Sequence, residues 1–150
     1  MENIPDNLMI RKNSKEDIDK LVKLWYEISL ESHDFIDKEY WEKAREDMAK
    51  KYIPKSDTYI IEENNEFRGF ISMVDNYLAA IFVDKKFQGK GYGKKLLDYA
   101  KEQKDSIELK VFKKNNRACK FYLRNGFTIK QELDNESLKE KEYLMVWKRL

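Results

Sequence analysis

The residues from Gln88 to Gly93 read Q-G-K-G-Y-G, a loop with a glycine at every second position. The run before it, Tyr77 to Val83, carries no charge and no period-2 alternation, so it reads as a strand buried on both faces. The segment after it, Lys94 to Lys101, sets Leu96, Leu97 and Ala100 on one helical face. A strand, a tight loop and a helix N-terminus in that order can cradle a pyrophosphate. The helix's first N–H groups lack intrahelical partners, and its dipole favours an anion there. Gly89, Gly91 and Gly93 remove Cβ atoms that would hold phosphate oxygens off the backbone, and Lys90 and Lys94 add charge at the mouth. A phosphorylated cofactor is the expected ligand. The plainer readings are a glycine-rich turn between strand and helix and, for Lys90, a solvated loop lysine.

Spacing narrows the cofactor. The dinucleotide pattern G-x-G-x-x-G does not fit, and the Walker pattern fails because Lys95 follows Gly93-Lys94 where a magnesium-binding hydroxyl is required. Q-x-x-G-x-G, from Gln88 through Gly91 to Gly93, resembles the acetyl-coenzyme A (acetyl-CoA) loop of the GNAT N-acetyltransferase superfamily. Asn115 to Phe127 resembles that superfamily's later motif, N-x-x-A-x-x-x-Y-x-x-x-G-F, through Asn115, Ala118, Tyr122, Gly126 and Phe127. This second segment lies past one helix and one strand, where the superfamily places it. The resemblance, to a bacterial small-domain branch, is strong over Ala79 to Phe127 and rests on element order elsewhere.

The resemblance implies acetyl-CoA as cofactor and direct attack of a primary amine on its acetyl group in a ternary complex. Pantetheine would lie beside the main chain of Ile81, Phe82 and Val83 like an added strand, with the N–H of Phe82 or Val83 polarising the thioester carbonyl. The backbone of Gln88, Gly89, Lys90, Gly91, Tyr92, Gly93 and Lys94 would take the pyrophosphate. Tyr122 matches the motif's tyrosine, and its ordinary pKa near 10 suits protonation of a departing thiolate. Its alternative is a core aromatic beside Phe121. Asn115 can cap its helix, hydrogen-bond pantetheine, or do both. Cys119 reads as a small packing residue.

The acceptor side carries no fixed motif. Ser32 to Ile36 falls at the junction of the first two helices, which in the superfamily overhangs the acceptor cleft. His33 titrates near neutral pH and is the candidate amine-activating base, with Asp34 and Phe35 beside it; the plainer reading is a helix-capping His-Asp pair. Trp25, Tyr26, Asp75 and Tyr77 are further substrate-binding candidates, against the plainer reading of core aromatics for Trp25 and Tyr26. Two other classes stay open: a non-catalytic acyl-CoA sensor on the same fold, and a nucleotide-binding domain.

A short alternating chain must position these residues. Its 150 residues suit a single domain with one sizeable core. Thirty basic residues nearly cancel 28 acidic ones, which argues against nucleic acid as the main partner. One cysteine excludes an internal disulfide, and one histidine with one cysteine argues against a zinc site, so no metal is expected. There is no membrane-length apolar stretch and Met1 to Pro5 is no signal peptide, so a cytoplasmic protein is expected, monomer or homodimer.

Leu8 to Arg11 reads as a strand, and Ser14 with Asp17 resembles a capping box. Ile18, Leu21, Val22, Trp25, Ile28 and Ser29 mark the inner face of the helix that follows. A second helix is predicted over Lys38 to Lys51, stopping before Pro54. Thr58 to Glu63 and Phe67 to Val74 read as a hairpin through Asn64-Asn65. Ser106 to Phe112 turns Ile107, Leu109 and Val111 inward, and the helix over 115–125 stops at Asn125-Gly126. Phe127 to Leu133 and Tyr143 to Lys148 close the chain as strands around a polar connection, Asp134 to Lys141. The fold class is α/β (α+β), a mixed, mostly antiparallel sheet of six to seven strands with about four helices, as the resemblance also implies.

Overall fold

A computed structural model describes residues 7–150. Met1 to Pro5, read above for a signal peptide, lies outside the described residues. Among the described residues seven strands form one sheet: β1 (Leu8–Lys12), β2 (Asp57–Glu63), β3 (Glu66–Val74), β4 (Tyr77–Val83), β5 (Ser106–Phe112), β6 (Thr128–Asn135) and β7 (Glu140–Lys148). Four longer helices accompany it among the described residues: α1 (Ile18–Ser32), α2 (Lys38–Asp47), α3 (Tyr92–Glu102) and α4 (Asn116–Arg124). The strand order is β1-β2-β3-β4-β5-β7-β6, antiparallel except between β4 and β5.

Both faces of the sheet are covered, so neighbouring strand residues can be buried in opposite directions. Ile60 faces α1 and α2 with Leu21, Trp25, Trp41, Phe70 and Ala80. Ile61, next along the chain, faces α3 and α4 with Ile71, Leu96, Leu97, Leu109, Tyr122 and Met145. Each such side chain gains roughly 1.5–3 kcal/mol from leaving water. Phe70, Ile71, Leu96 and Met145 are completely inaccessible.

Local chemistry sets most boundaries. Ser14 donates its backbone N–H to the Asp17 carboxylate at 2.7 Å, opening the turn that leads into α1. Asp17 also receives Arg11 at 2.8 Å, and Arg11 reaches Glu62 at 3.0 Å, tying β1, the α1 entry and β2 together. Asn64 and Asn65 have φ of 55° and 64°, the left-handed pair required by a tight two-residue hairpin.

Three expectations need correction. The second helix does not stop before Pro54: α2 loosens into a wide turn at Met48–Tyr52, then makes one further turn, Ile53–Lys55. Pro54 sits in the first turn of that piece, directly after the wide turn that closes with the Ile53 N–H on the Met48 carbonyl. The ends of the polar stretch Asp134 to Lys141 are strand, with Asp134 paired to Lys141 and Asn135 to Glu140 around a four-residue turn. Solvent bathes this outermost hairpin, so its residues carry no apolar alternation to betray it. Finally, β4 is not buried on both faces. Leu78 and Ala80 are, but Ala79 is exposed and Ile81, Phe82 and Val83 are half-buried.

Candidate active site

β4 and β5 meet as parallel strands at a single pair, Tyr77 opposite Glu108, with the Glu108 N–H on the Asn76 carbonyl at 2.9 Å. Beyond it they part. The β4 edge facing β5 is left without further ladder partners, and a cleft of about 790 Å³ opens between the strands. The apolar character of Ile81 to Val83 therefore serves the cleft, which they line.

The loop after β4 is built to hold still. Asp84 accepts the Lys86 N–H at 3.0 Å, and the Gln88 side-chain amide donates to the Val83 carbonyl at 3.0 Å. Gly89 and Gly91 adopt φ of 78° and 92°, left-handed conformations that favour glycine. A Cβ on Gly89 would meet nothing within 4 Å, and one on Gly91 only the Lys95 Nζ at 3.8 Å. What these two glycines supply is backbone conformation, not relief from crowding by the protein. Gly93 differs: a Cβ there would lie 3.3 Å from the Phe121 ring, so its absence lets α3 approach α4. Gly91 is the N-cap of α3 and no side chain caps that end, which leaves its N–H groups for a ligand.

Basic side chains ring this end. Lys85 and Lys94 line the cleft but are paired with Glu31 and Asp98 at 2.8 and 2.7 Å. Arg117 and Arg124, on α4, line it with no ion pair among the described residues. Sequence reasoning passed over both, although their seven-residue spacing puts them on one helical face. Lys90 is exposed and does not line the cleft. Tyr92 contributes to the lining, while its hydroxyl donates to Glu63 at 2.8 Å and anchors α3 to the sheet.

Tyr122 lines the cleft from α4 with its ring against Phe121 and Phe127. It is 8% exposed, and its hydroxyl has no hydrogen bond to another described residue. Burial pushes the phenol well above its ordinary value, so it stays protonated throughout the working pH range. Asn115 caps α4 by accepting the Ala118 N–H at 3.2 Å. That contact fixes the amide, so its NH₂ group faces His33 Nε2 at 3.1 Å and donates to it. The imidazole proton then resides on Nδ1, which is buried without a hydrogen-bond partner among the described residues.

His33 stacks on Trp41 with ring centroids 5.1 Å apart and meets Phe112 and Phe35 edge-on. This apolar box lowers its pKa to about 4. The base expected from the sequence is thus a neutral ring whose lone pair is already engaged. Cys119 is buried, and its thiol points at the Phe112 carbonyl.

The remaining acceptor-side candidates separate. Trp25 lines the cleft and meets Trp41 edge-on at 5.7 Å. Tyr26 instead bonds Glu42 at 2.7 Å with Arg45 over its ring, outside the cleft lining. Asp34 is exposed, lies outside the lining and makes no hydrogen bond to the His33 ring. Phe35 supports His33 from behind. Asp75 occupies the β3–β4 turn with φ of 54°, and Tyr77 is half-buried at the start of β4; neither lines the cleft. Lys110, Phe112 and Glu142 do line it and were not foreseen. No motif marks them, because strand pairing between distant segments brings them there.

Residues 54–129 match the acetyltransferase (GNAT) domain family. The chain belongs to the GNAT family. It is an acetyltransferase that uses acetyl-CoA, and the uncapped helix N-terminus, the left-handed glycines and the free β4 edge fit that cofactor. The GNAT chain is 29% identical over 140 residues to the peptidyl-lysine N-acetyltransferase YiaC of Escherichia coli, covering 93% of this chain and 96% of YiaC. Its fold superimposes on the solution structure of apo YjaB from Escherichia coli with a TM-score of 0.81, at 22% identity over 93% of this chain and 97% of that one. It also superimposes on the PaiA N-acetyltransferase of Thermoplasma acidophilum, solved with coenzyme A, with a TM-score of 0.78, at 24% identity over 95% and 99% of the two chains. Among the described residues no helix is long and apolar enough to cross a membrane.

Proposed function

We propose that the protein acetylates the side-chain amine of lysine in a peptide or protein, by direct attack in a ternary complex and as one domain working in the cytoplasm. The observation that carries this reading is the parting of β4 and β5 at the uncapped end of α3, with the Tyr122 hydroxyl left unbonded at the cleft wall. YiaC, which matches nearly end to end, is named a peptidyl-lysine N-acetyltransferase, and that name supports the choice of acceptor.

Acetyl-CoA, when bound, supplies an acyl group activated as a thioester. The chain's own contribution has four parts. The free edge of Ile81, Phe82 and Val83 offers backbone groups to an extended ligand, and an N–H at Phe82 or Val83 is the donor for a carbonyl oxygen there. Gln88 to Lys94, with Arg117 and Arg124, offer N–H groups and charge to phosphates. Tyr122 Oη holds a proton that burial keeps in place until a thiolate departs beside it. His33 orients the Asn115 amide across the cleft and is a positioning residue, the base being a water. One or two copies of the chain suffice for this site, and the exposed outer strand β6 is available for pairing.

The test measures coenzyme A release from acetyl-CoA with lysine-containing peptides, free polyamines, amino acids and aminoglycosides as acceptors. Turnover on peptides, with acetyl found on the lysine Nζ, is expected. Binding of acetyl-CoA without release on any acceptor would instead identify a sensor.

A further inference from the structure

Two carboxylates line the cleft among the described residues, Glu31 and Glu142. Glu31 is neutralised by Lys85 at 2.8 Å. Glu142 is half-buried and makes no side-chain hydrogen bond or ion pair with another described residue. The two residues before it do pair: Lys141 with Asp134, and Glu140 with Lys114 at 3.2 Å. An unpartnered carboxylate partly removed from water is costly unless something charged meets it.

Register shows where this carboxylate sits. Glu142 is directly opposite Phe112, so the two side chains share the sheet face that also carries Lys110 and Glu108. Counting on from the Tyr77–Glu108 pair, Phe112 is level with Ile81 on the far side of the opening. Glu142 thus stands across the cleft from the β4 stretch that would hold the acyl group, on the side where Phe112 meets His33 and Phe35. Two phenols outside the cleft lining lie within its electrostatic reach. Burial first, then Glu142 and Glu108, push Tyr77 above its ordinary value; burial, Tyr52 and Glu142 do the same to Tyr40. Lys110, on the same face, is exposed and makes no ion pair with Glu142.

We propose that Glu142 is the group that receives the acceptor's ammonium, selecting a cationic alkylamine and holding it opposite Ile81 to Val83. This assignment rests on the lysine-directed reading above. An anion beside the Phe112 ring suits an alkylammonium, which gains a charge-assisted hydrogen bond and ring contact together. A carboxylate-bearing acceptor would be repelled. Glu142 acts on acceptor binding and is on a different element from the pyrophosphate cradle, Gln88 to Lys94.

The experiment uses Nα-acetyl-lysine amide and an alkoxyamine of equal length, which is uncharged at pH 7, measured by calorimetry on the coenzyme A-bound protein and by turnover with acetyl-CoA. For Glu142→Gln the lysine amide should bind at least about tenfold more weakly, as expected when one charge-assisted bond is lost. Its KM should rise in step while kcat stays within about threefold, and the alkoxyamine should shift little. Glu142→Asp should recover part of the loss, and acetyl-CoA affinity should match wild type. Equal weakening of both amines, or unchanged binding of the lysine amide, overturns the assignment. Lysine amide binding that depends on Glu142 without any turnover would leave Glu142 in place and overturn the transfer reading instead.

Discussion

Tyr122 and His33 came out of the sequence as an acid and a base, and their surroundings set them apart. Tyr122 lines the cleft and its hydroxyl has no hydrogen bond to another described residue, so Tyr122→Phe removes only a proton donor while keeping the ring against Phe121 and Phe127. We expect kcat to fall by about 10²–10⁴-fold with thermal stability unchanged. Wild-type turnover at saturating substrate would exclude Tyr122 as the acid. His33 is the chain's one histidine, so its titration can be followed without ambiguity. Its pKa is lowered from 6.5 to about 4, so below 6.5 the unfolded chain takes up a proton that the folded protein refuses. Stability should therefore fall as pH drops from 6.5 towards 4, by up to about 3 kcal/mol, and be fully present above 6.5. His33→Gln should flatten that dependence in melting curves across this range. An imidazole resonance titrating near 6.5 in the folded protein would contradict the buried, Asn115-bonded ring.

Among the elements, the α3 entry makes the sharpest demand. Gly91 has φ of 92°, so any side chain is strained there even though space is open. Gly91→Ala should cost about 1–2 kcal/mol of stability, and valine more. A loss of acetyl-CoA affinity in a glycine variant is therefore not clean evidence of contact. Arg117→Ala and Arg124→Ala are cleaner, because both side chains are exposed and make no ion pair among the described residues. Each should weaken acetyl-CoA about two- to tenfold by calorimetry, with a shallower salt dependence, and leave the melting temperature unchanged. Affinity indifferent to both would move the phosphates away from α4.

The elements also mark what could be read in advance. Ile107, Leu109 and Val111 announce β5 by alternation, and Asn64-Asn65 announces its turn, because both signals are local. The apolar run of β4 looked like core because hydrophobicity alone does not distinguish a wall facing protein from one facing a ligand. His33 could not be read correctly, since Asn115 lies 82 residues away and Phe112 arrives on another strand. Glu142 reached the cleft through the β5–β7 register, which no single segment encodes.

At the scale of the molecule, β1–β4 and β5–β7–β6 are each continuous antiparallel sheets, joined edge to edge by one residue pair and by the helices above and below. Acetyl-CoA lying along the free edge should add its binding energy to both. By mass action, ligand at 100 times Kd should stabilise the fold by about 2.7 kcal/mol. Amide exchange should slow along Ile81 to Val83 as well as at the α3 N-terminus. Protection confined to the α3 end would mean that the ligand does not reach the free edge of β4.

The single shared pair between the two half-sheets has a consequence for how the chain can be cut. Each half is drawn from one uninterrupted stretch, β1–β4 from residues 8–83 and β5–β7 from 106–148, and the turn at Gln103 to Asp105 between α3 and β5 is largely exposed. A polypeptide divided there yields two pieces, each keeping its own antiparallel ladder and lacking mainly the other's apolar cover. Mixed together, such fragments should recover a working enzyme by complementation, and the cofactor, bridging the two pieces, should act as the glue that drives their association.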